Sequence, residues 1–133
     1  MKKAFLTIII VCCLFNFVAC AKGSYSAYMA YERNTNKSMA MTYERFNGYK
    51  EMSFRLGEGE RATVYISFVT KSGKLDAYIA KQGDKANPDF IVNDVASSTF
   101  TVDITEAGTY VIRVDGVDHS GEYNFQWEIK TAK

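Results

Sequence analysis

The chain is poor in the residues that usually carry chemistry. It holds one histidine, His119, one proline, Pro88, one tryptophan, Trp127, and three cysteines, all within its first 20 residues. With no cysteine beyond Cys20, the rest of the chain cannot be held by an internal disulfide, and its core must suffice alone. Neither sign of charge dominates, 16 Lys and Arg standing against 15 Asp and Glu. That balance excludes the clustered positive surface that nucleic acid demands, and it offers no basic patch for anionic lipid headgroups. No apolar run reaches the roughly 20 residues of a membrane-spanning helix. No stretch has the apolar spacing of a long helix either.

What is present begins with an address. Lys2 and Lys3 precede an apolar stretch from Ala4 to Val18, broken only by Thr7 and Asn16. This is the layout of a secretory signal peptide. It ends at Phe17-Val18-Ala19-Cys20, a cysteine directly behind small and apolar residues, which resembles the lipobox of bacterial lipoproteins. The resemblance implies a signal peptide over residues 1–19, cut before Cys20. The Cys20 thiol would then carry diacylglycerol and anchor the protein to the extracytoplasmic face of the cell membrane. Phe17 departs from the leucine usual at its place. Ala19-Cys20-Ala21 also fits an ordinary small-x-small cut, which would release a secreted protein beginning at Lys22.

Residues 20–37 read as a lipidated N-terminus and tether, with Gly23, Asn34 and Asn36 and no clear apolar period. A first strand docked on the domain is the alternative. Tyr25, Tyr28 and Tyr31 fall three apart within it, as one face of a short helix, a ligand stripe, or amphipathic rings near lipid headgroups.

From Ser38 the apolar period becomes two, and residues 38–133 read as one domain. Taking Asn47-Gly48 as a hairpin turn pairs Phe46 with Tyr49, Tyr43 with Met52, Met41 with Phe54 and Met39 with Leu56, all on one face. A second hairpin around Ser72-Gly73 sets Thr70 against Leu75, Phe68 against Ala77 and Ile66 against Ile79. Gly57-Glu58-Gly59-Glu60 supplies the reversal between the two hairpins. A polar loop over 81–89 follows, then short strands at 90–92 and around Phe100, Val102 and Ile104. A last hairpin sets Tyr110, Ile112 and Val114 against Tyr123, Phe125, Trp127 and Ile129, across a loop at 115–121. Seven or eight short antiparallel strands, each with one apolar face, require two packed sheets. The expected fold is an all-β, jelly-roll-like antiparallel β-sandwich.

The runs Ala107-Gly108-Thr109-Tyr110-Val111-Ile112-Arg113-Val114 and Gly121-Glu122-Tyr123-Asn124-Phe125, with Leu75-Asp76-Ala77-Tyr78 upstream, resemble the bacterial pre-peptidase C-terminal domain family. The likeness covers about Met52 to Ile129. The chain is similar also to small, uncharacterised bacterial lipoproteins made of a signal, a short tether and one such domain. These motifs imply strand geometry more than chemistry, and the chain is expected to depart from that family by standing alone, without a protease.

Catalysis finds little support. His119 sits beside Ser120 in what reads as a polar hairpin loop, and adjacent side chains diverge instead of meeting as nucleophile and base. No catalytic residue and no cofactor is expected. Asp84, Asn87 and Asp89 bring hard oxygens to one loop, as do Asp115 and Asp118, but neither set matches the twelve-residue calcium loop. The binding candidates are aromatic. Tyr65 and Tyr78 fall on the wet face of the Ser72-Gly73 hairpin, close enough for a shared patch, with Ser67 and Asp76 beside them to hydrogen-bond a hydroxylated ligand. The expected function is a membrane-anchored, non-catalytic module that binds an envelope protein or glycan. The alternatives are an accessory subunit of an envelope protein or transporter, and a secreted enzyme or inhibitor.

Overall fold

A computed structural model describes residues 22–131, so the expected signal peptide and the expected Cys20 anchor lie outside the described residues. Seven strands follow in chain order: β1 (Lys22–Tyr28), β2 (Tyr31–Glu32), β3 (Ser38–Leu56), β4 (Glu60–Lys81), β5 (Phe90–Val92), β6 (Ser98–Ile104) and β7 (Gly108–Thr131). All pairings are antiparallel, in the order β1-β3-β7-β4-β5, with β2 also on β3 and β6 also on β4.

Three of these strands are far longer than ordinary ones: 19 residues in β3, 22 in β4 and 24 in β7. Each bends in the middle, so one half lies in one layer and the other half in a second. The first layer holds residues 38–43 of β3, 121–131 of β7 and 60–70 of β4, with β2 and β6 outside them. The second holds 48–56 of β3, 108–116 of β7 and 74–81 of β4, flanked by β1 and β5. The inner faces meet. Phe54 of the second layer stacks on Trp127 of the first at 5.2 Å between ring centroids, and Phe90 meets Phe100 edge-on at 5.1 Å.

The three expected hairpins are therefore not hairpins. At Asn47-Gly48 the chain continues: Gly48 pairs with Tyr25 of β1 on one side and Gly116 of β7 on the other. Ser72-Gly73 and residues 115–121 likewise lie inside β4 and β7. The physical reason is parity. Buried positions run odd at Met39, Met41 and Tyr43, then even at Phe46, Met52, Phe54 and Leu56. A two-residue turn shifts the inward parity, and so does a β-bulge, which adds one residue to one strand. Register breaks mark that bulge between Tyr43 and Gly48 in β3, and another between Thr70 and Lys74 in β4. The expected inward residues of this strand are inward except Tyr49, which the shift to even parity turns to the outer face. The contacts between them differ, because Met52 pairs with Ile112 of β7 and Tyr43 with Gly121.

Glycine permits the bends. Gly48 has φ +108° and Gly73 φ +76°, and a Cβ on either would sit 2.3 Å from the Ser24 carbonyl oxygen or 2.0 Å from that of Asp118. Residues 22–37, read as a tether, instead include β1 and β2, so the docked-strand alternative is the one observed. Lys50 helps to hold them. It is buried, ion-paired with Glu32 of β2, and its Nζ lies 4.6 Å from the centre of the Tyr25 ring of β1.

His119 is the largest departure from expectation. Its polar neighbours predict a wet loop, yet it is fully buried in β7 where the bends meet. Thr70 Oγ1 donates to the Val95 carbonyl at 2.8 Å, which leaves its oxygen to accept from His119 Nε2, also 2.8 Å away. His119 Nδ1 is then an acceptor, and the Tyr43 hydroxyl donates to it at 2.5 Å. The imidazole is neutral, and burial pushes its pKa below the ordinary value. One directed chain of hydrogen bonds thus joins β3, β7, β4 and the loop before β6.

Candidate functional site

Inward parity in β4 is even at Ala62, Val64, Ile66 and Phe68, so Tyr65 and Ser67 point out from the first layer. Beyond the bend the inward set is Leu75, Ala77 and Ile79, so Asp76 and Tyr78 point out from the second. Because the inner faces are packed together, these two outer faces look in opposite directions. The shared Tyr65 and Tyr78 patch expected from a hairpin does not form.

Tyr65 and Ser67 line a shallow depression of about 220 Å³ with Ile66, Thr99, Asn124 and Gln126. The ladder explains who meets whom. Tyr65 lies between Thr101 of β6 and Gln126 of β7, and Ser67 between Thr99 and Asn124. Tyr65 is 46% exposed. No charged side chain lines the depression. Asn124 Oδ1 is buried without a hydrogen-bond partner. Thr99, Asn124 and Gln126 were not singled out from sequence. Their wet-face alternation was legible, but only the register of β7 and β6 against β4 brings them to Tyr65.

Tyr78 and Asp76 have different company. Lys85 Nζ lies 5.5 Å from the centre of the Tyr78 ring, and burial raises the phenol pKa despite the opposing charge of Arg113. A depression of about 260 Å³ beside Tyr78 includes Lys22, Lys81, Lys85 and Glu51. Lys22 pairs with Glu51 at 3.6 Å and Lys81 with Glu106 at 2.8 Å, so this rim is not a bare cationic surface. Asp76 Oδ1 accepts from the Asp94 amide at 2.7 Å and ties down the loop between β5 and β6. On the same outer face Arg113 lies 4.0 Å from the centre of the Tyr49 ring and grips Asp115 through two nitrogens.

Asp84, Asn87 and Asp89 belong to a compact turn. Asn87 Nδ2 donates to Asp84 Oδ1 at 2.9 Å, and the Asp89 amide donates to the Ile79 carbonyl at 2.8 Å. Burial, followed by the nearby Glu106 charge, raises the Asp89 carboxyl pKa. Among the described residues no three His, Cys, Asp or Glu side chains are grouped to hold a metal ion. Both His119 nitrogens are engaged inside the core, and Ser120 stands in the ladder opposite Ser72.

No family model and no curated protein matches the chain. Among solved structures it is similar to a family 35 carbohydrate binding module from Clostridium thermocellum, at 12% identity and a TM-score of 0.44, over 86% of this chain and 100% of that one. It is similar also to a family 35 module from an environmental isolate, at 16% identity and a TM-score of 0.47, over 86% and 91% of the two chains. A low affinity xylan binding module from Roseburia intestinalis matches at 9% identity and a TM-score of 0.45, over 85% and 96%. At these values the likeness carries no argument about ligand or site.

Proposed function

We propose that the protein is a lipid-anchored, extracytoplasmic binding module that recognises an envelope glycan or protein and catalyses nothing. The observation that carries this reading is the outer face of the first layer, where an exposed Tyr65 ring stands beside hydroxyl and amide groups in an uncharged depression. Flat rings with polar neighbours suit sugars and protein hot spots alike. The anchor is proposed at Cys20 from the leader pattern, and the domain begins almost at once behind it, since Lys22 already opens β1. The accessory-subunit reading draws on one feature. Tyr28, Met29 and Tyr31 are 63%, 67% and 67% exposed at the corner between β1 and β2, an apolar edge suited to a protein neighbour.

Two measurements test the proposal. Cys20→Ser is expected to move the protein from the membrane fraction to the soluble one, since stable anchoring takes two or more acyl chains at about 0.8 kcal/mol per buried CH₂. Unchanged partition removes the anchor. For recognition, the purified protein is screened against an oligosaccharide panel and used for pull-down from intact envelopes. A blank in both removes the module.

A further inference from the structure

The depression beside Tyr65 holds an anomaly. Buried polar atoms are nearly always hydrogen-bonded, because an orphaned acceptor forfeits its water without recompense. Asn124 Oδ1 is such an orphan, buried and unpartnered. The register shows why nothing satisfies it: its ladder neighbours on the outer face are Ala40, which has no polar side-chain atom, and Ser67, which does not bond it. We infer that Asn124 is kept for a ligand, and that this site takes a neutral, polyhydroxylated ligand, an uncharged oligosaccharide, whose hydroxyl donates to Asn124 Oδ1 once the amide turns out into the depression it lines, while a sugar face lies on Tyr65.

The chemistry selects the class. An amide oxygen accepts only, so the partner must bring a donor, and a sugar hydroxyl does. Ser67, Thr99 and Gln126 supply further donors and acceptors at the rim. A uronate, sulfate or phosphate group would find no cation in this lining and would lose its hydration uncompensated. The inference rests on the binding-module reading, and it names the ligand class for one face of that module.

An apolar replacement separates a functional orphan from a structural one. Asn124→Val removes the unpaired acceptor and places a good strand former in β7. The purified full chain is titrated by NMR or calorimetry with hexasaccharides of β-1,4-linked glucose, xylose and mannose, and with a galacturonic acid hexasaccharide as the charged probe. The expected result is binding of at least one neutral sugar by the parent and a loss of about tenfold or more in Asn124→Val, about 1.4 kcal/mol. The melting temperature of Asn124→Val is expected to equal or exceed the parent's. Should that variant fail to fold, Tyr65→Ala, at an exposed ring, is expected to melt like the parent and lose the same binding. Lower melting with binding kept makes Asn124 structural and overturns the inference. Binding of the charged sugar alone, or only of a captured envelope protein, also overturns it while leaving the module standing. Capture of neither sugar nor protein sinks both.

Discussion

His119 shows how one side chain can set the pH response of a domain. It is buried and neutral, accepting from Tyr43 and donating to Thr70, with its pKa below the ordinary value because a charged imidazole would be stranded in the core. Above pH 6.5 both the folded and unfolded chains carry it neutral, and its contribution to stability is complete. As pH falls below 6.5 the unfolded chain takes up a proton that the folded one resists. Stability then drops by up to about 1.4 kcal/mol per pH unit until the folded pKa is reached. Urea melts at pH 7.5 and 5.5 should show this slope, and His119→Gln should flatten it. An equal slope in the variant would assign the effect elsewhere. Nothing in the sequence announced this role. A lone histidine between Asp118 and Ser120 reads as wet, and only the meeting of three bends seals it.

At the scale of elements, the sequence was legible in faces and illegible in connections. Met39, Phe54, Ile66, Ile112 and Phe125 were assigned inward and are inward, because a folded-over strand keeps the same face to the core in both halves. The partners were wrong because Asn-Gly and Ser-Gly suit a hairpin turn and a bulge equally well. Distinguishing them needs the strand on the other side, such as β1 running past Gly48, and no local pattern contains it. The bends themselves make a prediction. Gly73→Ala forces a side chain into left-handed backbone and against the Asp118 carbonyl, and should cost about 2 kcal/mol or more. Gly83→Ala, at φ +83° in open space, should cost about 1–2 kcal/mol from backbone strain alone. Equal melting losses would show that the β4 bend tolerates displacement.

For the molecule as a whole, the two layers are halves of the same strands, so the core between them has no other seam. Phe54 contacts Tyr110 beside it in the second layer and Trp127 across the gap. Phe54→Ala should therefore cost about 3–5 kcal/mol, a large share of the about 5–15 kcal/mol a domain possesses. Chemical denaturation measures it, and a loss under 1 kcal/mol would mean the layers do not depend on that stack. The proposed binding face was half legible for the same reason. Tyr65 and Ser67 were readable as outward residues, whereas their neighbours Thr99 and Asn124 come from strands 32 and 57 positions further on, since Thr99 and Asn124 each pair with Ser67 (99 − 67 and 124 − 67).

The place of β7 between β3 and β4 has a consequence in time. Those two strands do not pair with each other, and β7, last of the seven to be synthesised, is the partner that both require. A growing chain lacking β7 has two long strands with nothing between them, so stable structure in this domain waits until β7 has emerged. For a chain routed through an export channel, as proposed here, that delay keeps the preceding strands threadable until β7 arrives. The dominance of distant pairings places refolding in the millisecond to second range typical of all-β domains. Stopped-flow refolding reads this directly, and a microsecond phase completing the native signal would show that the earlier strands organise without β7.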